Sequence, residues 1–421
     1  MSNQPHVLRR YASGYLLYAG KLRRSQWKSA DEIAAEQRRQ LRELLRAAAQ
    51  VPYYRSLGIG PDDELAKLPI LRKDTVRARF NDFLNPRHPR RGVFEDHTSG
   101  STGAPLRFLL TAEQKAYEMA FAIRFWRWAG YRTGDRIAAF RSYIPATPRD
   151  PLWKLDRRQQ TLFFSVYDMT PAHLRRYVTE FNRYRPRFVR GYPTSIFAFA
   201  QFAAAEGLPV HSPHAVLTSS ETLSPEMRAV IEKTLQCPVF DWWGTNERVV
   251  TACQCEQRGA YHVNAEGGIL ELVPVAPGLC RMIGTGLINH AMPLIRYDLG
   301  DLALPAAAPC PCGRGLPVIG GILGRSDDLI VTGDGKFIPP VRFYTLFETC
   351  DQIRRFQVVQ TAPDAVTVRL VPARELTNLT GLRQKLQRFL GENVAIEFAI
   401  VDEIQPDPSG KVRTVIAHAP R

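Results

Sequence analysis

Between residues 136 and 240, short apolar segments alternate with stretches of helical length, and this alternation admits very few architectures. The apolar segments, 136–140, 187–190, 215–219 and 238–240, are bounded by Gly, Pro or Ser in the manner of strands. Residues 171–184, 195–206 and 225–235 carry helical spacing between them. Repeated βα units imply a parallel sheet flanked by helices, and in open sheets of that class ligands sit beyond the C-terminal strand ends. Residues 218–221 and 241–247 follow candidate strands at such positions.

Helices are also predicted over 31–49, closed by Val51-Pro52, and over 112–129. Around 321–328 the pattern changes to a smaller α+β unit, with apolar alternation at 356–360 and 366–371, a helix at 378–390 and a strand at 394–400. The expected division is a large N-terminal α/β domain over 1–323, opening with a helical segment over 1–50, and a small C-terminal domain over 324–421. Residues 302–318, rich in Ala and Pro, are predicted as a loop.

The 56 basic residues against 41 acidic ones leave a net charge of +15, which favours anionic partners. Basic residues are scattered without any zinc-finger, RRM-type or zipper pattern, so nucleic acid is not an expected partner. No run of eighteen apolar residues and no signal peptide is seen, and a cytoplasmic protein is expected. Leu8, Tyr11, Tyr15, Tyr18 and Leu22 recur at helical spacing beside five basic residues, suiting a helix packed on the main domain or, as a lesser option, one resting on a membrane surface. Seven cysteines, with close pairs at Cys253/Cys255 and Cys310/Cys312, fit reduced thiols or a metal better than disulfides.

The run Thr98-Ser99-Gly100-Ser101-Thr102-Gly103-Ala104-Pro105 joins hydroxyl donors to two glycines. Glycine lets backbone N–H groups close around an oxyanion, so the run is a candidate cradle for a nucleotide phosphate. It is not the kinase and GTPase phosphate loop, because Leu106 and Arg107 stand after Pro105 instead of Lys and Ser or Thr.

Further segments follow in order: Ser219-Ser220-Glu221-Thr222, Asp241-Trp242-Trp243-Gly244-Thr245-Asn246-Glu247, Ile295-Arg296-Tyr297-Asp298-Leu299-Gly300-Asp301, Gly324-Arg325-Ser326-Asp327-Asp328 and Pro408-Ser409-Gly410-Lys411-Val412-Arg413. Together with the early loop they resemble the adenylate-forming ligase superfamily. Residues 41–80, Arg190-Gly191-Tyr192-Pro193-Thr194-Ser195 and Cys310-Pro311-Cys312-Gly313 resemble its phenylacetate–CoA ligase and CapK-type branch. The resemblance spans nearly the whole chain.

It implies a mobile C-terminal domain and two half-reactions, in which a carboxylate and ATP give an acyl-adenylate and a thiol then displaces AMP. Lys411 resembles the family's adenylation lysine. Glu247 is the implied Mg²⁺ ligand and Thr245 the α-phosphate contact. Trp243 stands where the family usually has Tyr and would stack on adenine. Ser220, Glu221 and Thr222 would line the adenine and acyl pocket, while Asp241, Trp242 and Gly244 complete the nucleotide segment. Asp301 would accept from ribose hydroxyls, Arg325 would reach ribose or phosphate, and Asp327 falls at the hinge position. Tyr192, Trp243, Phe163 and Phe164 are candidates for the acyl pocket, with the side chains that face it left open.

Thiolate and imidazole ligands suit tetrahedral Zn²⁺, and some members of the branch are similar in carrying a structural zinc. Cys255, His262, Cys310 and Cys312 are the best four, with Cys253 in reserve. Departures from the family pattern are the missing Lys after the hydroxyl-rich loop, Asn246 in place of Ser or Thr, and a divergent Gly333-Asp334-Gly335-Lys336. Expected cofactors are ATP, Mg²⁺, coenzyme A or a carrier-protein phosphopantetheine, and Zn²⁺; partners are a small, aromatic or related, carboxylic acid and a coenzyme A or acyl-carrier thiol. A homodimer, transfer to an amine, and a non-catalytic binding protein on the same fold stay open.

Overall fold

The structure is a computed structural model that describes residues 6–98, 106–143, 145, 151–167, 169–325, 330–332, 337–338, 343, 346–347, 350, 352–405 and 413–417, and side chains except those of 6–14, 142 and 337. Its helices are α1 (His6–Ser25), α2 (Ala30–Ala48), α3 (Pro52–Ser56), α4 (Lys73–Ala78), α5 (Ala112–Trp128), α6 (Pro171–Tyr184), α7 (Pro193–Ala205), α8 (Pro225–Leu235) and α9 (Leu379–Leu390). The strands run from β1 (Val93–His97), β2 (Arg107–Thr111), β3 (Ile137–Tyr143), β4 (Trp153–Asp156), β5 (Thr161–Ser165), β6 (Phe188–Gly191), β7 (Ala215–Ser219) and β8 (Val239–Gly244) through β9 (Thr251–Gln254), β10 (Tyr261–Val263), β11 (Gly268–Ala276) and β12 (Leu279–Gly286). They continue with β13 (Tyr297–Pro305), β14 (Val318–Arg325), β15 (Ile330–Val331), β16 (Phe337–Ile338), β17 (Ile353–Ala362), β18 (Ala365–Pro372), β19 (Ala395–Ile400) and β20 (Val415–Ile416). The chain divides into two compact units: Met1–Thr133, Phe240–Leu299 and Ala303–Gly321 form one, and Gly134–Val239, Gly300–Leu302 and Ile322–Arg421 the other.

In the second unit, the βα alternation builds a sheet of order β7-β6-β3-β5-β4, parallel except for the edge strand β4. Three helices start where Pro follows a non-helical residue: Thr170-Pro171, Tyr192-Pro193 and Ser224-Pro225. Proline at N1 lacks only an N–H that has no helical partner, and the Thr170 and Ser224 hydroxyls accept from the N–H groups of His173 and Met227. One sheet face buries Phe140, Phe164 and Val189 with Tyr177, Phe181 and Phe199 from the helices. Each such ring removed from water contributes about 1.5–3 kcal/mol. Gly191 has no alternative, because a Cβ there would lie 2.3 Å from the Phe140 carbonyl oxygen.

The C-terminal part of this unit pairs β19-β18-β17-β20. Leu382, Leu386 and Leu390 at i, i+4 spacing bury the face of α9 against Val366, Val368, Leu370 and Ile396. Asn378 caps α9 by accepting from the Gly381 N–H at 2.7 Å.

In the first unit, Ser29 and Glu32 form a reciprocal capping box at the start of α2. Strands β8, β9, β10 and β14 pair antiparallel in that order, and β11 pairs β12 as a hairpin. Arg124 on α5 ion-pairs with Glu266 at 2.6 Å and also donates to Asn264 Oδ1. Ser25 at the end of α1 donates to the same carboxylate, so a buried network ties α1 and α5 to the segment before β11.

One segment departs from expectation. Residues 302–305, predicted as loop, continue β13 as far as Pro305, with Leu302 and Ala303 buried despite the Ala- and Pro-rich composition. Among the described residues no helix is long and apolar enough to cross a membrane.

Candidate functional site

The hydroxyl-rich run is held at its two ends. Strands β1 and β2 pair antiparallel from Val93↔Thr111 to His97↔Arg107. Beyond them the Thr98 N–H donates to the Leu106 carbonyl at 3.0 Å, and the Leu106 N–H donates to Thr98 Oγ1 at 3.0 Å. Thr98 is thus a buried closing residue of the hairpin; its hydroxyl is already engaged. Ser99, Gly100, Ser101, Thr102 and Gly103 lie outside the described residues, as do Asp327 and Lys411.

The turn after β8 carries the second group of predicted residues. Asp241 is buried, accepts from the Tyr261 hydroxyl at 2.7 Å, and through its own N–H bonds Gln254. Trp242 points to the opposite face of β8 and packs on Phe125 of α5, with ring centroids 5.7 Å apart. Both residues therefore have firm structural occupations. Trp243 is buried on the Asp241 side of the strand. Gly244 is demanded by packing, since a Cβ would come within 2.8 Å of the Thr251 methyl.

Immediately beyond, Thr245 Oγ1 is buried and has no hydrogen-bond partner among the described residues. A buried hydroxyl in that condition is uncommon and marks a place where a ligand or water completes the pairing. Two residues on, Glu247 is buried, and its Oε1 accepts from the Tyr297 hydroxyl at 2.9 Å. Gln114 of α5 donates to the Glu247 and Arg248 carbonyls at 3.3 and 3.1 Å and fixes the turn. Arg248 adopts φ 54°, in the left-handed region that a turn of this tightness uses. The unit thus brings an unsatisfied hydroxyl and an oriented carboxylate to one short turn. Tyr297 and Gln114 were absent from the predicted site; Tyr297 lay within a recognised motif, whereas nothing in the local sequence distinguishes Gln114.

In the second unit the C-terminal ends of β3, β6 and β7 bring together Arg141, Tyr192 and residues 218–222. Glu221 Oε2 accepts from both the N–H and the hydroxyl of Thr194, at 3.1 and 2.7 Å, which places a carboxylate at the N-terminus of α7 where the helix dipole favours it. Ser220 is exposed and held at φ 73°. Thr222 is half-buried beside it in sequence. Tyr192 is buried, with the Arg141 guanidinium 5.5 Å from its ring centroid. Phe164 belongs to the helix-covered core, so of the two phenylalanines only Phe163, on the other face of β5, is available to a ligand.

Asp301 and Arg325 meet in the same unit, with 3.8 Å between Oδ2 and Nη1. Gly300, at φ 71°, makes that approach feasible, since a Cβ would lie 2.6 Å from Arg325 Nη2. The two predicted ribose-side residues are therefore neighbours.

The four predicted zinc ligands converge in the first unit. The Sγ atoms of Cys255, Cys310 and Cys312 and a ring nitrogen of His262 all lie within 4.8 Å of one another. Cys255 and Cys310 are 3.6 Å apart at sulfur, and Cys312 Sγ is 3.4 Å from His262 Nε2. A tetrahedral ion bound at about 2.3 Å to sulfur and 2.0–2.1 Å to nitrogen sets ligand atoms roughly 3.5–3.8 Å apart, close to these two separations, so the donor set suits zinc. Cys253 lies outside this group of four: it is fully buried, and burial pushes its thiol up to about 12.

Burial, reinforced by the charge of Arg314, pushes His262 down to about 4, which keeps the imidazole neutral as a metal ligand requires. For Cys312 burial acts upward, but hydrogen bonds from the Arg314 backbone and side chain outweigh it and hold the thiol below its ordinary range. Arg314 is itself fixed by Glu256, at 2.8 and 3.0 Å, and by Gln26 at 3.3 Å. Trp128 stands edge-on to His262 at 5.6 Å and donates to Gln26 at 2.7 Å. Arg314, which the sequence reading passed over, is the residue that makes this cluster electrostatically asymmetric.

Residues 330–418 match the CapK C-terminal domain family. Over 359 residues, which cover 83% of this chain and 79% of the relative, the chain is 24% identical to Protein CapK of Staphylococcus aureus. These matches support a CapK-like, adenylate-forming reading of the chain. The CapK-like chain is also 24% identical to phenylacetate-coenzyme A ligase of Thermus thermophilus over 354 residues, 78% of each protein. Among solved structures it is similar to 2-hydroxyisobutyryl-CoA ligase in the postadenylation state in complex with R3-HIB-AMP, with a TM-score of 0.72, 22% identity, and 94% and 91% of the two chains covered. At that identity the likeness is one of fold.

Proposed function

We propose that this chain is an ATP-dependent carboxylate ligase that joins a small carboxylic acid to AMP and then passes the acyl group to the thiol of coenzyme A. The observation that carries the reading is the turn after β8, where the buried, unpartnered Thr245 hydroxyl stands two residues from a Glu247 carboxylate held by Tyr297. A neutral donor and an oriented carboxylate on one turn are what binding a phosphate with its divalent cation calls for. The relatives named as a coenzyme A ligase and as CapK support the same reading, as does the fold shared with ligases bound to acyl-AMP.

In this reading Thr245 donates to the α-phosphate and Glu247 holds Mg²⁺, which when bound offsets charge on the phosphate oxygens. Trp243 packs on adenine, and Ser220, Glu221 and Thr222 serve the nucleotide and the acid. Asp301 accepts from the ribose hydroxyls beside Arg325. The hydroxyl-rich run, anchored by Thr98 and Leu106, surrounds the outer phosphates. Lys411 brings a cation to the carboxylate and the α-phosphate as they approach, and a C-terminal domain over 324–421 pivots near Asp327 between the half-reactions. Cys255, His262, Cys310 and Cys312 hold a structural zinc ion. The chain then acts on acids in solution in a cytoplasmic setting.

Exchange of labelled pyrophosphate into ATP, screened over aromatic and aliphatic acids, tests the first half-reaction. Lys411→Ala should abolish exchange while transfer from a supplied acyl-adenylate to coenzyme A persists. Absence of exchange with every acid would leave a binding protein on this fold. Exchange without AMP release on addition of coenzyme A would instead assign a carrier-protein thiol or an amine as acceptor.

A further inference from the structure

Arg141 stands at the C-terminal part of β3, next to Tyr192, which follows β6, and Ser219 at the end of β7. It is half-buried. Its Nη1 donates to Ser219 Oγ at 3.2 Å, and its guanidinium lies 5.5 Å from the Tyr192 ring centroid. Among the described residues no carboxylate pairs with it. The carboxylate in the cluster, Glu221, is committed through Oε2 to the N–H and hydroxyl of Thr194.

A guanidinium offers five N–H donors in a flat fork, and here one neutral hydroxyl and a ring face engage it. Partly withdrawing a cation from water without an anionic partner is unfavourable, and an anionic ligand group would supply that partner. Loops beyond the C-terminal ends of parallel strands are where ligands bind on sheets of this class. The Tyr192 ring stands beside the guanidinium, whose remaining N–H donors suit a planar, two-oxygen acceptor. On the same sheet the Arg190 guanidinium lies 5.8 Å from the Phe163 ring, so apolar surface stands close to positive charge here as well.

We propose that Arg141 forms a subsite for a second carboxylate on the acid that the chain activates, so that the substrate class is dicarboxylic acids that join one end to AMP and present the other to Arg141. This rests on the ligase reading for which carboxylate reacts, but not for the recognition itself. An alternative duty for Arg141, contact with the reacting carboxylate or the nucleotide, would make it indifferent to a second acid group.

Matched acids separate these cases: benzoate against terephthalate, and butanoate against succinate, in pyrophosphate exchange with the wild type, Arg141→Met and Arg141→Lys. The wild type should favour the diacid of each pair. Arg141→Met should lower kcat/KM for the diacids about tenfold to hundredfold, the range of one charge-assisted pair, and leave the monoacids within about threefold. Arg141→Lys should fall between, because it keeps the charge and loses the fork. Equal loss for both acids, or no loss for either, overturns the subsite. Calorimetric titration with terephthalate and succinate gives a readout independent of turnover: binding by the wild type and at least tenfold weaker binding by Arg141→Met support the subsite. Lack of wild-type binding, or equal affinities, overturns it. Failure of exchange with all four acids, accompanied by diacid binding that depends on Arg141, would sink the ligase reading and keep the subsite.

Discussion

The Tyr297 hydroxyl donates to Glu247 Oε1 at 2.9 Å, and both side chains are buried. One carboxylate oxygen is thereby fixed, and the orientation of the other follows. Tyr297→Phe should raise the Mg²⁺ concentration for half-maximal pyrophosphate exchange several-fold and lower kcat by about tenfold or less, in keeping with one hydrogen bond. Glu247→Gln should lower exchange by about a hundredfold or more at any Mg²⁺ concentration. An unchanged Mg²⁺ dependence in Tyr297→Phe would mean that the tyrosine serves only to fill space.

Thr245 provides a cleaner separation of activity from stability. Because its Oγ1 has no partner among the described residues, Thr245→Val removes a donor without breaking an internal hydrogen bond. The expected outcome is an exchange rate about tenfold to hundredfold lower and a thermal midpoint equal to or slightly above that of the wild type, measured on the same preparations. A fall in midpoint would indicate that the hydroxyl supports the fold.

The cysteine cluster predicts one zinc ion per chain in protein purified without chelator, measured by elemental analysis. Cys310→Ser or His262→Ala should lose the ion and lower the midpoint, because binding energy at a structural site is folding energy. Cys253→Ala should keep it, since that sulfur is fully buried and lies outside the group of four. Retention of zinc in Cys310→Ser with loss in Cys253→Ala would reverse the assignment.

The Arg124–Glu266 pair sets a pH dependence. Burial acts to raise the Glu266 carboxyl, but the charge and hydrogen bonds of Arg124 outweigh it and hold the group below the usual carboxylate range. A carboxyl whose folded pKa is depressed contributes its stability in full at neutral pH and loses it as pH falls below about 4.3 and through the lower folded value. Arg124→Met should cost about 3–5 kcal/mol at pH 7 by leaving a buried charge unpaired. The gap to the wild type should narrow as acid neutralises Glu266, which denaturation midpoints at pH 7, 5 and 3.5 can follow.

Periodic segments were the legible part of the sequence. The helix expected over 31–49 forms as Ala30–Ala48, and the one over 378–390 as Leu379–Leu390, because an apolar stripe and a capping residue speak locally. The fold class and the convergence of Cys255, His262, Cys310 and Cys312 were legible too, the latter because four soft ligands have few other uses in one small space. Residues 302–305 were misread since strand membership there depends on partners distant in sequence. Asp241 and Trp242 stand together in a motif, but the contacts of their side chains with Tyr261 and Phe125 are ones that no single segment contains. Arg141 was invisible for the same reason: a cation is ordinary until its neighbours turn out to be a hydroxyl and a ring.

Arg314 reaches back 288 positions to Gln26, and Gly315 lies so close to the Lys28 carbonyl that a Cβ would sit 2.3 Å from its oxygen. A chain made at 5–20 residues per second exposes the first helices on the order of tens of seconds before the cysteine loop that locks them has left the ribosome. During that interval the earliest part of the polypeptide must wait for the latest part of its own unit. Newborn chains should therefore acquire protease resistance in this region only after residue 315 has emerged.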